Sequence, residues 1–194
     1  MRSRPARGRS ECLGDFDALL VAARANVPTA WDALFRWLAP DVAGYLRMSG
    51  AREVDDLTNE VLLAVFRRVG SFEGSEPKFR SWVFTVAHSR LIDERRRSNR
   101  KPVCAPLETG HVSAPTVSSA ENVALRELEV ARVEAICAQL PSDQRAVVLL
   151  RIIGELSVDQ VAEALGKSPG AIKQLQRRGF ETARRLVERE GVTL

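Results

Sequence analysis

The chemically active side chains of this chain are cations, and they fall in two runs. Between Phe79 and Lys101 lie Arg80, Arg90, Arg95, Arg96, Arg97, Arg100 and Lys101, against only Asp93 and Glu94. Between Ser168 and Arg189 lie Lys173, Arg177, Arg178, Arg184, Arg185 and Arg189, against Glu181 and Glu188. Such an excess of cations binds phosphates, and the first run starts beside Phe79, Trp82 and Phe84, whose ring faces suit stacking on unpaired bases. The same rings suit a core, and the arginines a solvated helix end. In the second run Lys173 and Gln174 have the length to reach guanine and adenine edges, and Arg177 and Arg178 to reach phosphates. Bond-making chemistry finds less support. His88 and His111 are the only histidines, and neither stands in a triad-like order with Ser/Asp or Cys. Cys104, His111 and Cys137 as metal ligands would have spacings unlike zinc frameworks. Asp55 and Asp56 could do acid–base work, but at the start of a helix they serve more simply as dipole partners. The expectation is no enzyme, no metal and no cofactor.

The totals agree. At 194 residues the chain has room for one ordinary domain or two small ones. Hydrophobic residues make up 45% and aromatics only 6%, and the abundance of Ala, Leu, Val and Arg favours helices. The formal charge of +4 hints at an acidic partner. Three widely spaced cysteines suggest a reducing, cytoplasmic setting, and no apolar run approaches the ~18 residues of a membrane span. The start, "MRSRPARGRSE", reads as a disordered basic tail over 1–14.

Helical periodicity must position these residues. "DFDALLVAARAN" is a first helix, and "TAWDALFRWLAPDVAGYLRMSG" a second, with Thr29 as a cap, Pro40 kinking or splitting it, and Gly50 ending it. "VDDLTNEVLLAVFRRVGSF" is a third, acidic at its start and basic at its end, as the helix dipole favours, and closed by Gly70. A long fourth helix starts at Lys78. From Lys101 to about Ser119 three prolines and a Ser/Thr-rich end mark a linker. Further helices follow, broken at Pro141-Ser142. The expected fold is all-α, with two small helical domains over 15–100 and 121–194 joined by a flexible linker over 101–120.

"LSVDQVAEALGKSPGAIKQLQRRG" carries the sharpest local signal. Ser157 caps a short helix that buries Val158, Val161, Ala162 and Leu165. Gly166 fits a left-handed turn. Ser168 caps the next helix, and Pro169 suits its first turn. This is a helix-turn-helix, whose second helix lies in the major groove with its N-terminal part toward base edges. That part offers Ser168, Gly170, Ala171, Lys173 and Gln174, with Gln176, Arg177 and Arg178 a turn later.

Four stretches in order resemble the extracytoplasmic-function (ECF) sigma factors of the sigma-70 family. "WDALFRWLAPDVAGYL" and "DDLTNEVLLAVFRRVGSF" are similar to the start of region 2 and its polymerase-binding helix. "FRSWVFTVAHSRLIDERRR" is similar to the −10 reading helix, and "LPSDQRAVVLLRIIGELSVDQVAEALGKSPGAIK" to region 4. The resemblance implies a protein that binds core RNA polymerase and selects promoters. Asp55, Asp56, Leu57, Asn59, Glu60 and Leu62 would meet the clamp of the largest subunit, Leu62 sharing itself with the core as Val61 and Val65 do. Lys78, Arg80, Trp82, Ser89, Arg90, Arg95, Arg96 and Arg97 would meet the −10 strand, and the helix from Pro169 would read the −35 duplex, with region 4 near the flap. An anti-sigma protein is a common partner in the family. Asn59 replaces the usual Gln, Ser89 the usual Asn, and "IKQLQRRG" departs from the commoner recognition helix, leaving Lys173 as the match. A stand-alone helix-turn-helix regulator with a helical effector domain is the alternative.

Overall fold

The computed structural model describes residues 16–100 and 120–189, with side chains described over 16–98 and 127–189. The tail expected at 1–14 lies outside these residues, as do Cys104, His111 and the linker expected at 101–120, save Ala120. The regular elements described are all helical: α1 (Phe16–Arg24), α2 (Pro28–Ser49), α3 (Val54–Arg68), a 3-10 turn (Val69–Ser71), α4 (Glu76–Arg100), α5 (Ala120–Gln139), α6 (Ser142–Ile152), α7 (Val158–Leu165) and α8 (Pro169–Arg189). The all-α expectation holds.

Local chemistry explains most boundaries, and it corrects some expected ones. Thr29 is not the cap of α2. The helix starts one residue earlier, at Pro28, with extended Val27 before it, because proline is pre-set for the first helical position. Pro40 does not split α2. Leu38 and Val42 on either side of it are buried, so packing holds the helix through the missing hydrogen bond. Gly50 ends α2 as expected, at φ 82°, with its N–H directed at the carbonyls of Arg47 and Leu46. Gly70 is not a left-handed stop. It lies in the 3-10 turn, where the Ser71 hydroxyl donates to the Arg68 carbonyl at 2.9 Å. Helix α4 begins at Glu76 rather than Lys78, with Pro77 in its first turn.

The N-terminal half is held by a ring cluster around Phe79, which has no exposed surface. Phe72, Phe16 and Trp82 lie 5.0, 5.5 and 5.6 Å from it, centroid to centroid, and Trp37 stacks on it at 6.4 Å. Tyr45 meets Phe84 edge-on at 5.7 Å. These contacts fix the first turns of α4 against α1, α2 and the 3-10 turn. In the C-terminal half α6, α7 and α8 form the helix-turn-helix unit. The Ser157 side chain accepts from the Gln160 N–H at 3.2 Å, and the Gln160 side-chain oxygen Oε1 accepts from the Ser157 N–H at 2.7 Å, a reciprocal capping box. Gly166 takes the left-handed conformation at φ 61°. Gly179 lets α8 approach α6, since a Cβ there would stand 2.7 Å from a Val148 methyl.

The halves, expected to hang on a tether, pack together. Helix α7 lies on α4, and α2 meets both α5 and α6, so buried residues of both halves form one contiguous apolar cluster. Polar contacts cross the same seam. Gln160 donates to the Pro77 carbonyl at 3.0 Å, and Arg47 faces Glu134 at 3.8 Å. Near this seam the Tyr45 hydroxyl and His88 Nδ1 are 2.8 Å apart. Burial pushes the Tyr45 hydroxyl far up and His88 below its ordinary value. The Arg95 charge lowers His88 further, while Asp143 opposes the shift. A histidine with a lowered folded value stays neutral in the fold while the unfolded chain takes up a proton. Its stability contribution is therefore complete above the unfolded value of about 6.5 and is lost as pH falls through that value toward the folded one. The drop in thermal midpoint between about pH 7.5 and about pH 5.5 should shrink in His88→Gln. An equal drop in parent and variant would assign the acid sensitivity to other groups.

Candidate nucleic-acid interface

At about 100° per residue, the expected −10 residues divide between two faces of α4. Lys78, Trp82, Ser89 and Arg96 fall within about 40° of one line, which runs about 27 Å along the helix. Lys78, Ser89 and Arg96 on that line are exposed, as is Arg97 beside it. Trp82 is half-buried, stacked on Phe72 at 5.3 Å. Its ring therefore serves the core while one side remains open. Arg90, further round, is half-buried.

Arg80 and Arg95 sit on the opposite side of α4, and both turn inward. Arg80 is only 7% exposed. Its Nε donates to the Gly154 carbonyl at 2.7 Å, and its terminal nitrogen reaches the Ile153 carbonyl at 2.7 Å and the Asp41 carboxylate at 2.8 Å. The guanidinium carbon lies 5.3 Å from the Phe84 ring centre and 5.9 Å from that of Trp37. Arg80 thus binds α4 to the turn after α6 instead of facing outward. Arg95 donates to the carbonyl of Ser49. In this arrangement neither guanidinium is offered to DNA.

Helix α8 presents the opening of its helix-turn-helix outward. Ser168 accepts from the Ala171 N–H at 3.2 Å, which satisfies one of the N–H groups orphaned at a helix start. Ile172 and Gly179 are buried, while Gly170, Lys173, Gln174, Arg177 and Arg178 are exposed. Lys173, Gln174 and Arg177 share the face that begins at Gly170. Gln176 falls on the inner side, where its amide oxygen accepts from Arg151 at 3.2 Å. The outward set on this face is therefore narrower than the sequence suggested. Arg177 pairs weakly with Glu181 at 3.4 Å on an open surface, a contact that phosphate can displace.

Helix α3 carries the third surface. Asp55, Asp56, Asn59 and Glu60 are exposed, Leu62 is half-buried, and Leu57 is in the core at 4%. Leu57 lies about 100° from Asp56, turned to the side shared by Val61 and Val65. The apolar residues on the outer face are instead Leu63, 49% exposed, and Phe66, 43% exposed. Sequence periodicity alone could have found them, since Asp56, Asn59, Leu63 and Phe66 recur at helical spacing. They border a groove of about 300 Å³ between α2 and α3, lined also by Trp31, Phe35 and Leu62.

Three outward surfaces stand on this all-helical scaffold, one acidic and apolar-edged and two cationic. Known proteins share its pattern. The Sigma-70 region 2 family matches residues 34–101, and the Sigma-70 region 4 family matches residues 131–182. The chain is 30% identical over 173 residues to the ECF RNA polymerase sigma factor RpoE of Cereibacter sphaeroides, covering 88% of this chain and 93% of that protein. It is also 30% identical over 158 residues to BldN of Streptomyces coelicolor, spanning 80% of this chain but 56% of BldN. Its fold is similar to that of CnrH, solved in complex with the cytosolic domain of CnrY, with a TM-score of 0.63 at 22% identity over 88% of this chain and 96% of that one. The chain belongs to the ECF sigma factors of the sigma-70 family, the promoter-selecting subunits of RNA polymerase. Among the described residues no helix is long and apolar enough to cross a membrane.

Proposed function

We propose that α3 docks on the helical clamp of the largest polymerase subunit through Asp55, Asp56, Asn59, Glu60, Leu63 and Phe66, with Leu62 at the edge of the contact. Region 4 sits near the flap and reads the −35 duplex with α8, and the Lys78–Arg96 line of α4 meets the melted −10 strand. Trp82 offers a partly open ring to an unstacked base, and Arg90, Arg96 and Arg97 take phosphates. The protein makes and breaks no bonds itself, works in the cytoplasm beside its polymerase, and is held in check by an anti-sigma partner. The observation that carries this reading is the outward, capped N-terminal part of α8, with Lys173 and Gln174 free on its open face.

The −10 and −35 elements lie some 25 base pairs apart by their names, which is about 85 Å of B-DNA at ~3.4 Å per pair. Two domains in contact do not span that distance. The segment 101–119 extends to at most about 65 Å, which together with the breadth of the domains reaches it. Promoter binding therefore requires the seam between the halves to open, and opening releases Arg80 from the Gly154 and Ile153 carbonyls, while its pair with Asp41 and the Arg95 contact to Ser49 stay within the N-terminal half.

Lys173 and Arg177 test the α8 assignment in different ways. Lys173→Ala in holoenzyme should relax preference at one −35 position, by about 1–3 kcal/mol of discrimination. Arg177→Ala should weaken all −35 sequences alike and lower the salt slope by roughly one unit. A −35 substitution series at several salt concentrations distinguishes them. If Lys173→Ala binds every variant in the parent's ratio, base reading passes to Gln174.

A further inference from the structure

A second cavity, of about 250 Å³, lies on the seam between the halves, among α2, α4 and the start of α6. Its wall is strongly cationic. Arg95 and Arg145 both donate to one acceptor, the carbonyl of Ser49. Two guanidiniums are thus brought side by side in a partly buried place, and among the described residues neither has a carboxylate within ion-pair distance. Arg145 also donates to the carbonyls of Ala138 and Leu140 at 2.6 and 3.1 Å. Its Nε is buried with no partner. Lys167 adds a third cation, and the one carboxylate in the wall, Asp143, is already paired with it at 3.1 Å. Burial, and then the Arg95 charge, lower the Arg145 guanidinium from its ordinary value, as expected of a cation held near a like charge without its counter-ion.

Two neutral features complete the wall. Helix α6 starts at Ser142 behind Pro141, and no side chain caps it, so the positive end of its dipole is turned toward the cavity by Ser142 and Asp143. Ser49, 2% exposed, lines the same space, its hydroxyl beside that of Tyr45. The unpaired Arg145 Nε, an uncapped helix start and surplus positive charge all call for the same thing, an acceptor with several oxygens and negative charge.

We propose that this cavity binds an anion of the phosphate class, either the free ion or a phosphate group carried by a small molecule, and that the bound anion fastens the two halves together. Arg145 and the α6 start belong to the C-terminal half, and Ser49 and Arg95 to the N-terminal half. An anion shared between them binds the closed arrangement and not the open one, so it stabilises closure by mass action. The effect on promoter binding rests on the sigma-factor reading above. The binding itself does not, and is measured without polymerase or DNA.

The probes are inorganic phosphate and adenosine monophosphate, titrated into the full chain by calorimetry at ionic strength held constant with potassium chloride. The thermal midpoint and the distance between labels placed on α1 and α8 are followed in parallel. The expected result is saturable phosphate binding, a rising midpoint, and an interdomain distance that stays short at temperatures where the phosphate-free chain opens. Arg145→Gln should weaken binding at least tenfold. Ser49→Ala, a smaller change that keeps the fold should Arg145→Gln not, should weaken it several-fold. Tighter binding of the nucleotide than of phosphate would place the carrier in the remainder of the cavity, and equal or weaker binding would make the free ion the ligand. Absence of saturable binding by both probes at millimolar concentration overturns the proposal, as does equal binding by parent and both variants. Either failure leaves the polymerase reading standing.

Discussion

Arg80→Ala should lower the unfolding free energy by about 3–5 kcal/mol, the cost of breaking a buried ion pair by removing one of its members. The guanidinium and the Asp41 carboxylate have side chains only 8% and 12% exposed, so solvent screens the pair little. Removal of Arg80 takes from the Asp41 carboxylate its 2.8 Å ion pair in a low-dielectric site and withdraws the donors to the Ile153 and Gly154 carbonyls. Because those carbonyls belong to the C-terminal half, the variant should also expand, with a larger hydrodynamic radius below its unfolding transition. Arg96→Ala, on the open line of α4, is the control. It should keep the parent's stability and weaken only −10 strand binding. Denaturant titration of both variants decides the matter. Equal midpoints for Arg80→Ala and the parent would show that Arg80 does not hold the seam.

The double variant Asp56→Arg, Leu63→Glu should lose at least a hundredfold in affinity for core polymerase, about 2.8 kcal/mol at 1.4 kcal/mol per decade. The first change reverses a charge at the start of α3, and the second sets a carboxylate on its outer apolar surface. Like charges facing each other across an interface cost several kcal/mol. Both positions are exposed, so the fold should survive, and circular dichroism checks it. Leu57→Glu is the contrast, since it buries a charge in the core and should unfold the domain rather than merely undock it. A folded double variant that still co-elutes with core polymerase would remove α3 from the docking surface.

What sequence reasoning could see here follows from how local the signals are. The Ser157 capping box, the left-handed Gly166 and the Ser168 cap depend on neighbours within a few residues, and each appears in the structure as its residue type dictates. The helix-turn-helix was therefore legible in detail, as was the exposed acidic start of α3. The fate of the arginines was not. Arg80 and Arg96 are alike as letters, yet one is buried against Asp41 and two carbonyls and the other is exposed. The difference comes from their angle around α4 and from a partner turn more than 70 residues away. Gln176 shows the same limit. Its neighbour Arg177 faces solvent while Gln176 meets Arg151 across the helix pair. The packing of the two halves lay beyond local reading because a linker composition marks where a chain can bend and not what its ends touch. The α2–α3 groove was half legible: the apolar spacing was visible, but which leucine pointed out depended on where the core lay.

Transcription by the purified chain with core RNA polymerase on genomic DNA from its own source, with the 5′ ends of the products mapped, tests promoter selection most directly. The expected result is discrete start sites that appear only when the chain and core polymerase are both present, sharing one upstream pair of elements at fixed spacing. They should vanish with the Asp56→Arg, Leu63→Glu variant. Tight, sequence-specific duplex binding by the chain alone, with start sites unchanged by its addition to core polymerase, would contradict it.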